Sequence, residues 1–186
     1  MRAEARRTLL ALAVVCLLPA ALSYLAYFFW KPSQTVNYGE LIAPVVLPEA
    51  RLARLLEAGE LEREALGGRW TLVYVGPSAC ADACGKALYA MRQARVAQGK
   101  DRHRVERLWL VTDGGTPEEG LLRAEDRFTV AVADPDWLAV MPGAGQAAYL
   151  YLVDPRGYVM MRFPEHPDVG QMIGDLKRLL KFSGVG

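Results

Sequence analysis

Cysteine and histidine are both scarce in this chain, which has three cysteines and two histidines among its 186 residues. Three cysteines are too few for a disulfide-stapled scaffold, and a chain of this length can bury a core without one. The formal net charge is only +1, so no strongly basic surface indicates binding to nucleic acid. One cysteine, Cys16, lies in an apolar run. The other two, Cys80 and Cys84, therefore make up the whole thiol chemistry of any folded domain.

Charged side chains are absent from residues 8–30. An apolar run of that length spans a bilayer core as a helix and exceeds the apolar region of a typical signal peptide. Arg2, Arg6 and Arg7 precede the run, so the positive-inside rule places the N-terminus in the cytoplasm and exports the chain that follows. We therefore predict a cytoplasmic tail over residues 1–7 and one transmembrane anchor over residues 8–30, in a bacterial inner membrane.

A candidate cleavage site and a proline-containing segment follow the arginines. Residues 21–23 (Ala-Leu-Ser) could serve as a cleavage site, but the apolar run continues past them, which favours an uncleaved anchor. Residues 31–65 contain three prolines near their start and are predicted to be a tether and lead-in to the domain. The stretch 51–66 has a composition that allows one or two helical turns.

The two remaining cysteines stand where a predicted strand gives way to a predicted helix. Residues 70–75 are apolar, β-branched and aromatic, as in a buried strand, and residues 87–95 have helical composition and spacing. Cys80 and Cys84 have C-x-x-x-C spacing, which on a helix puts both side chains on one face with Cα atoms about 6 Å apart. Such a pair can close a disulfide or bind one soft metal ion. Two small cysteines that only pack a helix are the alternative.

Strands and helices alternate along the rest of the chain. The cysteine helix is predicted to end near Gln98 with Gly99 as its C-cap, and the charged stretch 100–107 is predicted to be a solvated turn, with a docking patch for an acidic partner as the alternative. Further strands are predicted at residues 108–111, 129–132, 148–153 and 158–163, and helices begin near residues 116 and 167. This order indicates an α/β domain with a mixed sheet.

Three motifs together resemble the Sco/SenC family. They are the strand followed by the C-x-x-x-C helix, the Tyr-Leu-Val-Asp-Pro-Arg-Gly hairpin at 151–157, and the closing Asp-Leu-Lys-Arg-Leu-Leu-Lys helix at 175–181. The resemblance covers roughly residues 66–182 and implies a thioredoxin-like domain over residues 66–186, a mixed sheet flanked by helices, preceded by one N-terminal transmembrane helix. Members of that family are membrane-anchored copper chaperones and thiol reductases for cytochrome c oxidase assembly.

The family's copper site joins a distant histidine to the two cysteines, and this chain departs from that pattern. The corresponding position, five residues before Tyr151, is Gln146, whose amide is a poor ligand for a soft copper ion. His103 and His166 fall elsewhere and are expected at the surface, and Met141 is expected to be a core or loop residue. The resemblance is therefore to a divergent member that lacks the copper-binding histidine.

The resemblance implies a periplasmic assembly factor in which Cys80 is the attacking thiol and Cys84 its resolving partner. The pair would reduce a copper-site subunit of a cytochrome oxidase or another periplasmic thiol protein, or hold copper(I) weakly. A general thiol-disulfide oxidoreductase of cytochrome maturation is one alternative, but those enzymes use C-x-x-C and a facing cis-proline. A non-catalytic scaffold is the other, because the expected histidine is missing.

Overall fold

The computed structural model describes residues 2–29, 37–123, 128–146, 149–164 and 166–184. The chain divides into two compact units, residues 1–36 and residues 37–186. In the first, helix α1 (Arg2–Phe29) contains the apolar span Glu4–Phe28, within which an 18-residue window reaches a mean hydropathy of 2.4 and is not buried. That helix is long and apolar enough to cross a membrane, as predicted. It also includes Arg2, Arg6 and Arg7, and the cytoplasmic tail over residues 1–7 stays a prediction.

A six-stranded mixed sheet organises the second unit, with the strand order β1-β8-β7-β4-β5-β6. Its strands are β1 (Glu40–Val46), β4 (Trp70–Gly76), β5 (Val105–Val111), β6 (Phe128–Val132), β7 (Leu150–Val153) and β8 (Tyr158–Phe163). Strands β4, β5 and β6 run parallel, whereas β7, β8 and β1 join by antiparallel pairing. Two short strands, β2 (Leu52–Ala53) and β3 (Glu60–Leu61), form a separate ribbon. The predicted mixed α/β sheet is confirmed.

Helices cover both faces of this sheet. They are α2 (Asp82–Val96), α3 (Glu119–Arg123), α4 (Pro135–Ala139) and α5 (Val169–Phe182), with 3-10 turns at Arg63–Leu66 and Gly99–Arg104. Apolar side chains of α2 and α5 form one core cluster with alternate residues of the strands. The opposite face packs against α4 and the segment that holds β2 and β3. Every residue of β4 is buried, so the strand that leads to the cysteines runs through the centre of the domain.

The segment predicted as tether and lead-in contains a strand of the sheet. Strand β1 pairs with β8 at the sheet edge, and the Gly39 amide donates a hydrogen bond of 2.8 Å to the buried carboxylate of Asp175 on α5. Pro44 lies inside β1, which an edge strand tolerates because its outer side needs no backbone donor. Pro44 therefore belongs to the sheet, whereas residues 31–36 of the predicted tether lie outside the described residues. The stretch 51–66 contains the β2–β3 ribbon and one 3-10 turn, Arg63–Leu66, where one or two helical turns were expected.

The charged stretch predicted as a solvated turn is partly buried. Helix α2 ends at Val96, and Gly99 (φ +59°) opens the 3-10 turn rather than capping α2. Strand β5 then begins three residues earlier than predicted, at Val105. Arg107 is 2% exposed, with its guanidinium carbon 5.3 Å from the centre of the Phe128 ring. A cation–π contact with Phe128 on the edge strand β6 stabilises this buried charge on β5, which the run of charges did not reveal.

Candidate active site at the start of helix α2

Cys80 and Cys84 are joined in a disulfide, with Cα atoms 5.1 Å apart. The expectation that both lie on one helical face is wrong, because α2 begins at Asp82 and Ala81 is its N-cap, in an extended conformation. Cys80 thus belongs to the preceding segment 77–80, here named the cysteine loop, and only Cys84 belongs to the helix. The N-terminal end of a helix dipole favours thiolate when the bond is reduced.

The two sulfur-bearing residues differ in exposure. Cys84 is only 3% exposed and packs in the core cluster shared by α2 and α5. Cys80 is half-buried. An incoming group therefore reaches Cys80 more readily than Cys84. The attacking role of Cys80 and the resolving role of Cys84 stay predictions.

A depression lies on each side of the disulfide. The first, named the Cys84 cleft, has a volume of about 270 Å³, and its polar side chains besides Cys84 are Tyr74, Thr112 and Gln146. The second, named the Cys80 groove, has a volume of about 620 Å³ and is lined by Cys80, Ser78, Thr116, Glu118 and Leu121 together with two alanines. The side chains that line the cleft are neutral, whereas the groove has a carboxylate at its wall.

Gln146 lines the Cys84 cleft. It ends the segment 141–146, here named the glutamine loop, in which Gly143 and Gly145 have φ values of +82° and +81°. The Pro142 carbonyl in this loop accepts hydrogen bonds from the Tyr151 hydroxyl at 2.8 Å and from Arg162 Nη1 at 3.1 Å. These contacts hold the loop against strands β7 and β8.

Arg162 connects the glutamine loop to the first strand of the domain. Its Nε and Nη2 both donate to Glu40 Oε2 on β1, the former at 3.1 Å. Its guanidinium carbon also lies 4.5 Å from the centre of the Tyr149 ring. Burial raises the pKa of Tyr151 to about 12, so its hydroxyl remains a hydrogen-bond donor at physiological pH. From sequence, Tyr151 was used only in the hairpin motif and as the reference point for Gln146. Arg162, Glu40 and Tyr149 were not singled out from sequence.

The cysteine loop is held by Asp113, in the turn that follows β5. The Ser78 amide donates to Asp113 Oδ1 at 3.0 Å and Oδ2 at 3.2 Å, and the Ser78 hydroxyl donates to Oδ2 at 3.0 Å. The Gly115 amide adds a bond of 3.1 Å to Oδ1. These donors, the Ser78 amide first, hold the pKa of Asp113 below its ordinary value. The contact between Asp113 and Ser78 joins residues 35 positions apart and has no local signal in the sequence.

Tyr74 and Gly76 shape the floor of the Cys84 cleft. A side chain at Gly76 would overlap the Tyr74 ring and hydroxyl, so the glycine leaves room for that hydroxyl beside the end of β4. Burial raises the pKa of Tyr74, which keeps the phenol neutral. The Gly76 carbonyl accepts bonds from Trp109 Nε1 at 3.2 Å and from the Thr112 amide at 3.1 Å. This end of β4 is therefore rigidly placed beneath the disulfide.

No group of three or more histidine, cysteine, aspartate or glutamate side chains is placed to hold a metal ion within the described ranges. His103 and His166 are exposed, and neither lines the cleft or the groove. Met141 is 1% exposed and belongs to the core cluster on the sheet face opposite Cys84. Cys16 is an exposed, free cysteine on α1. The two cysteines are therefore the soft ligands at this site.

Comparison with known proteins identifies the family and the fold neighbours of this domain. A family model described as the transmembrane-like, thioredoxin-like C-terminal domain matches residues 70–183, and no curated protein matches the chain significantly. Copper-bound ScoI from Bradyrhizobium japonicum is 22% identical with a TM-score of 0.56, covering 72% of this chain and 99% of that one. Apo Sco1 from Thermus thermophilus is 16% identical with a TM-score of 0.60, covering 80% and 99%.

A third neighbour is BsSco, which is 13% identical with a TM-score of 0.56, covering 77% of this chain and 99% of that one. It is described as a member of the Sco family of cytochrome c oxidase assembly proteins in which a disulfide switch was identified. At these identities the likeness concerns the fold. The predicted thioredoxin-like fold, and the resemblance of that fold to Sco proteins, are confirmed.

Proposed function

Because this chain belongs to the transmembrane-like, thioredoxin-like family, we propose that it is a membrane-anchored, Sco-like assembly factor for cytochrome c oxidase that works by thiol-disulfide exchange. The observation that carries the proposal is the Cys80–Cys84 disulfide at the start of α2, with one half-buried and one buried cysteine. The Sco fold neighbours support the choice of assembly partner. The domain would face the periplasm from a bacterial inner membrane, in keeping with the arginines that precede the apolar helix.

The exchange would begin with the reduced pair. Cys80 thiolate attacks one sulfur of a client disulfide, which forms a mixed disulfide and releases the other client sulfur as a thiolate. Cys84 then attacks the Cys80 sulfur, which closes the Cys80–Cys84 disulfide and releases the second client thiol. The client gains two electrons and the pair loses two. A periplasmic dithiol must return the pair to its reduced form for another round.

The client would present two cysteines that are close enough to oxidise to a disulfide. A copper-site subunit of a cytochrome oxidase fits this description, since its cysteines must be reduced before they bind copper, and another periplasmic thiol protein is the broader class. The Cys80 groove is the side from which such a segment would approach, because Cys80 is the more accessible sulfur.

Copper would be a cargo of the same pair. Two thiolates suit copper(I), which accepts soft sulfur ligands at low coordination number. Gln146 lines the Cys84 cleft, and we take it as the equivalent of the family's histidine; an amide is a poor third ligand. We therefore propose weak binding that is restricted to copper(I) and requires both cysteines, with thiol exchange as the main activity.

Trapping of the mixed disulfide tests the proposal. The reduced full-length chain in detergent, with Cys16→Ser in every variant, would be mixed with a peptide that carries an internal Cys-x-x-x-Cys disulfide. Cys84→Ser should accumulate a covalent complex through Cys80, because the resolving thiol is missing, whereas Cys80→Ser should trap little. The unaltered pair should reduce the peptide and leave no complex. Failure of all three proteins to react would favour a non-catalytic scaffold.

A further inference from the structure

The two cysteines of the disulfide are held by different parts of the chain. Cys84 is fixed by α2 and by the core that surrounds it. Cys80 precedes the N-cap of that helix, so no helical hydrogen bond sets its distance from Cys84. Cys80 packs against the core cluster, and the remaining restraint on its position comes from the contacts of the cysteine loop.

Asp113 is the anchor that the structure provides. Its carboxylate accepts two contacts from the Ser78 amide and one from the Ser78 hydroxyl, all between 3.0 and 3.2 Å. The same carboxylate accepts the Gly115 amide, so it is itself fixed to the turn after β5. Hydrogen bonds to an ionised acceptor are stronger than neutral ones. The cysteine loop is thereby fastened to a neighbouring strand rather than to the helix.

The cysteine loop and the turn after β5 also approach each other closely beside Ser78. A side chain at Gly115 would overlap the Ser78 hydroxyl oxygen and lie 2.9 Å from the Ser78 Cβ. Gly115 thus allows the turn after β5 to come within reach of Ser78. This close approach is a second, independent feature that serves the same contact.

We propose that Asp113 is a positioning residue that holds Cys80 near Cys84 and so stabilises the disulfide relative to the dithiol. A held thiol has a higher effective concentration at its partner than a free one. Loss of the contact should leave the chemistry possible but shift the equilibrium toward the reduced pair. The inference rests on the proposed thiol-disulfide function and names a residue that sets its redox balance.

Equilibration with glutathione measures the equilibrium constant for closure of the Cys80–Cys84 disulfide. In the closing direction, the Cys80 and Cys84 thiols lose two electrons and two protons to one glutathione disulfide, which becomes two glutathione thiols. The full-length chain in detergent, again with Cys16→Ser, would be held in mixtures of reduced and oxidised glutathione, quenched with acid and counted by thiol alkylation. Asp113→Asn should lower the equilibrium constant for closure about three- to tenfold, where tenfold corresponds to about 30 mV.

Two variants separate positioning from charge. Asp82 is an exposed carboxylate at the first residue of α2, two residues from Cys80, so Asp82→Asn removes a nearby charge without touching the Ser78 contact. It should change the constant less than twofold. Gly115→Ala keeps the Asp113 charge but pushes on Ser78, and it should shift the constant in the same direction as Asp113→Asn.

The outcomes are distinct. An Asp113→Asn constant within twofold of the unaltered pair would overturn the inference, as would an equal shift in Asp82→Asn, which would assign the effect to charge. Should Asp113→Asn fail to fold, Gly115→Ala carries the same comparison. If the unaltered pair does not equilibrate with glutathione at all, the proposed function itself fails. Urea unfolding of the oxidised proteins shows whether a shift reflects general destabilisation.

Discussion

Two loops meet at the disulfide, and they are held in different ways. The cysteine loop is fastened at the surface by one exposed carboxylate, Asp113, through bonds to Ser78. The glutamine loop is fastened from beneath by the buried Tyr151 and by Arg162, which is itself paired with Glu40. The segment that carries reacting sulfur is thus held by few and local contacts. The segment that faces it is held by a network that extends to the edge of the sheet.

The difference indicates where each loop is sensitive. Contacts at the surface are screened and cost little to break, so they can set a redox balance without endangering the fold. Contacts that include buried groups contribute more to stability, because a lost partner leaves a polar group without water. Changes to the glutamine loop should therefore appear mainly as lost stability, and changes to the cysteine loop mainly as altered thiol chemistry.

The largest expected effect is on the glutamine loop. Gly143→Ala would place a Cβ 2.9 Å from the Tyr149 ring and 3.2 Å from Arg162 Nη1, at a φ of +82°, and should cost about 2 to 3 kcal/mol of unfolding free energy. Gly145→Ala is the matched control, since its φ is +81° and the space around it is open; it should cost about 1 kcal/mol. Equal losses of unfolding free energy in the two variants, measured by urea unfolding, would show that crowding against Tyr149 and Arg162 adds nothing to the cost at Gly143.

A copper measurement tests where the glutamine loop places its last residue. Gln146→His would add a nitrogen ligand at the Cys84 cleft and should strengthen copper(I) binding about tenfold or more, or ~1.4 kcal/mol. Competition with a coloured copper(I) chelator reads out the affinity, and Gln146→Ala controls for loss of the amide. The gain should vanish in Cys84→Ser. A tight copper(II) complex of the unaltered chain would show that our placement of Gln146 as the histidine equivalent is wrong.

A smaller effect is expected at the sheet edge. Arg162→Lys keeps the charge but loses the planar fork that reaches Glu40 and Pro142 and stacks on Tyr149, and should cost about 1 kcal/mol of unfolding free energy. Glu40→Gln, which leaves the other two contacts in place, should cost about half as much. Neither variant should change the glutathione equilibrium by more than twofold. A redox shift as large as that of Asp113→Asn would show that the two loops are not independent.

The smallest effect is the pH dependence that comes from Asp113. The Ser78 and Gly115 amides hold its pKa below the ordinary 3.8, so the folded state prefers the ionised carboxylate. The resulting stability is fully present above the pKa of the unfolded chain and is lost as the pH falls through the lower folded pKa. Between about pH 5 and pH 3, Asp113→Asn should lose less stability than the unaltered chain in urea unfolding. A steeper loss in the variant would contradict this sign.

Much of the unit formed by residues 37–186 could be predicted because its sequence signals are local. The β4–α2 junction, the strands β5 to β8 and the amphipathic α5 each show their apolar spacing and turn residues within a short window of the sequence. Strand β1 was not predicted because its single proline, Pro44, resembles a proline of a tether, and only the pairing of the strand with β8 reveals its role. The buried Arg107 escaped because a run of charges does not show which member packs on an aromatic ring.

The sequence by itself determined the apolar N-terminal helix, the α/β order and the spacing of the two cysteines, since each depends on residues close together in the chain. Tertiary structure alone decided that Cys80 lies outside the helix, that Asp113 reaches Ser78 across 35 residues and that Arg162 reaches Glu40 across 122. Contacts over such separations depend on strand order and register, which the pairing of the whole sheet sets. That is why the disulfide could be predicted from the sequence, whereas the residues that hold the cysteine loop and the glutamine loop could not.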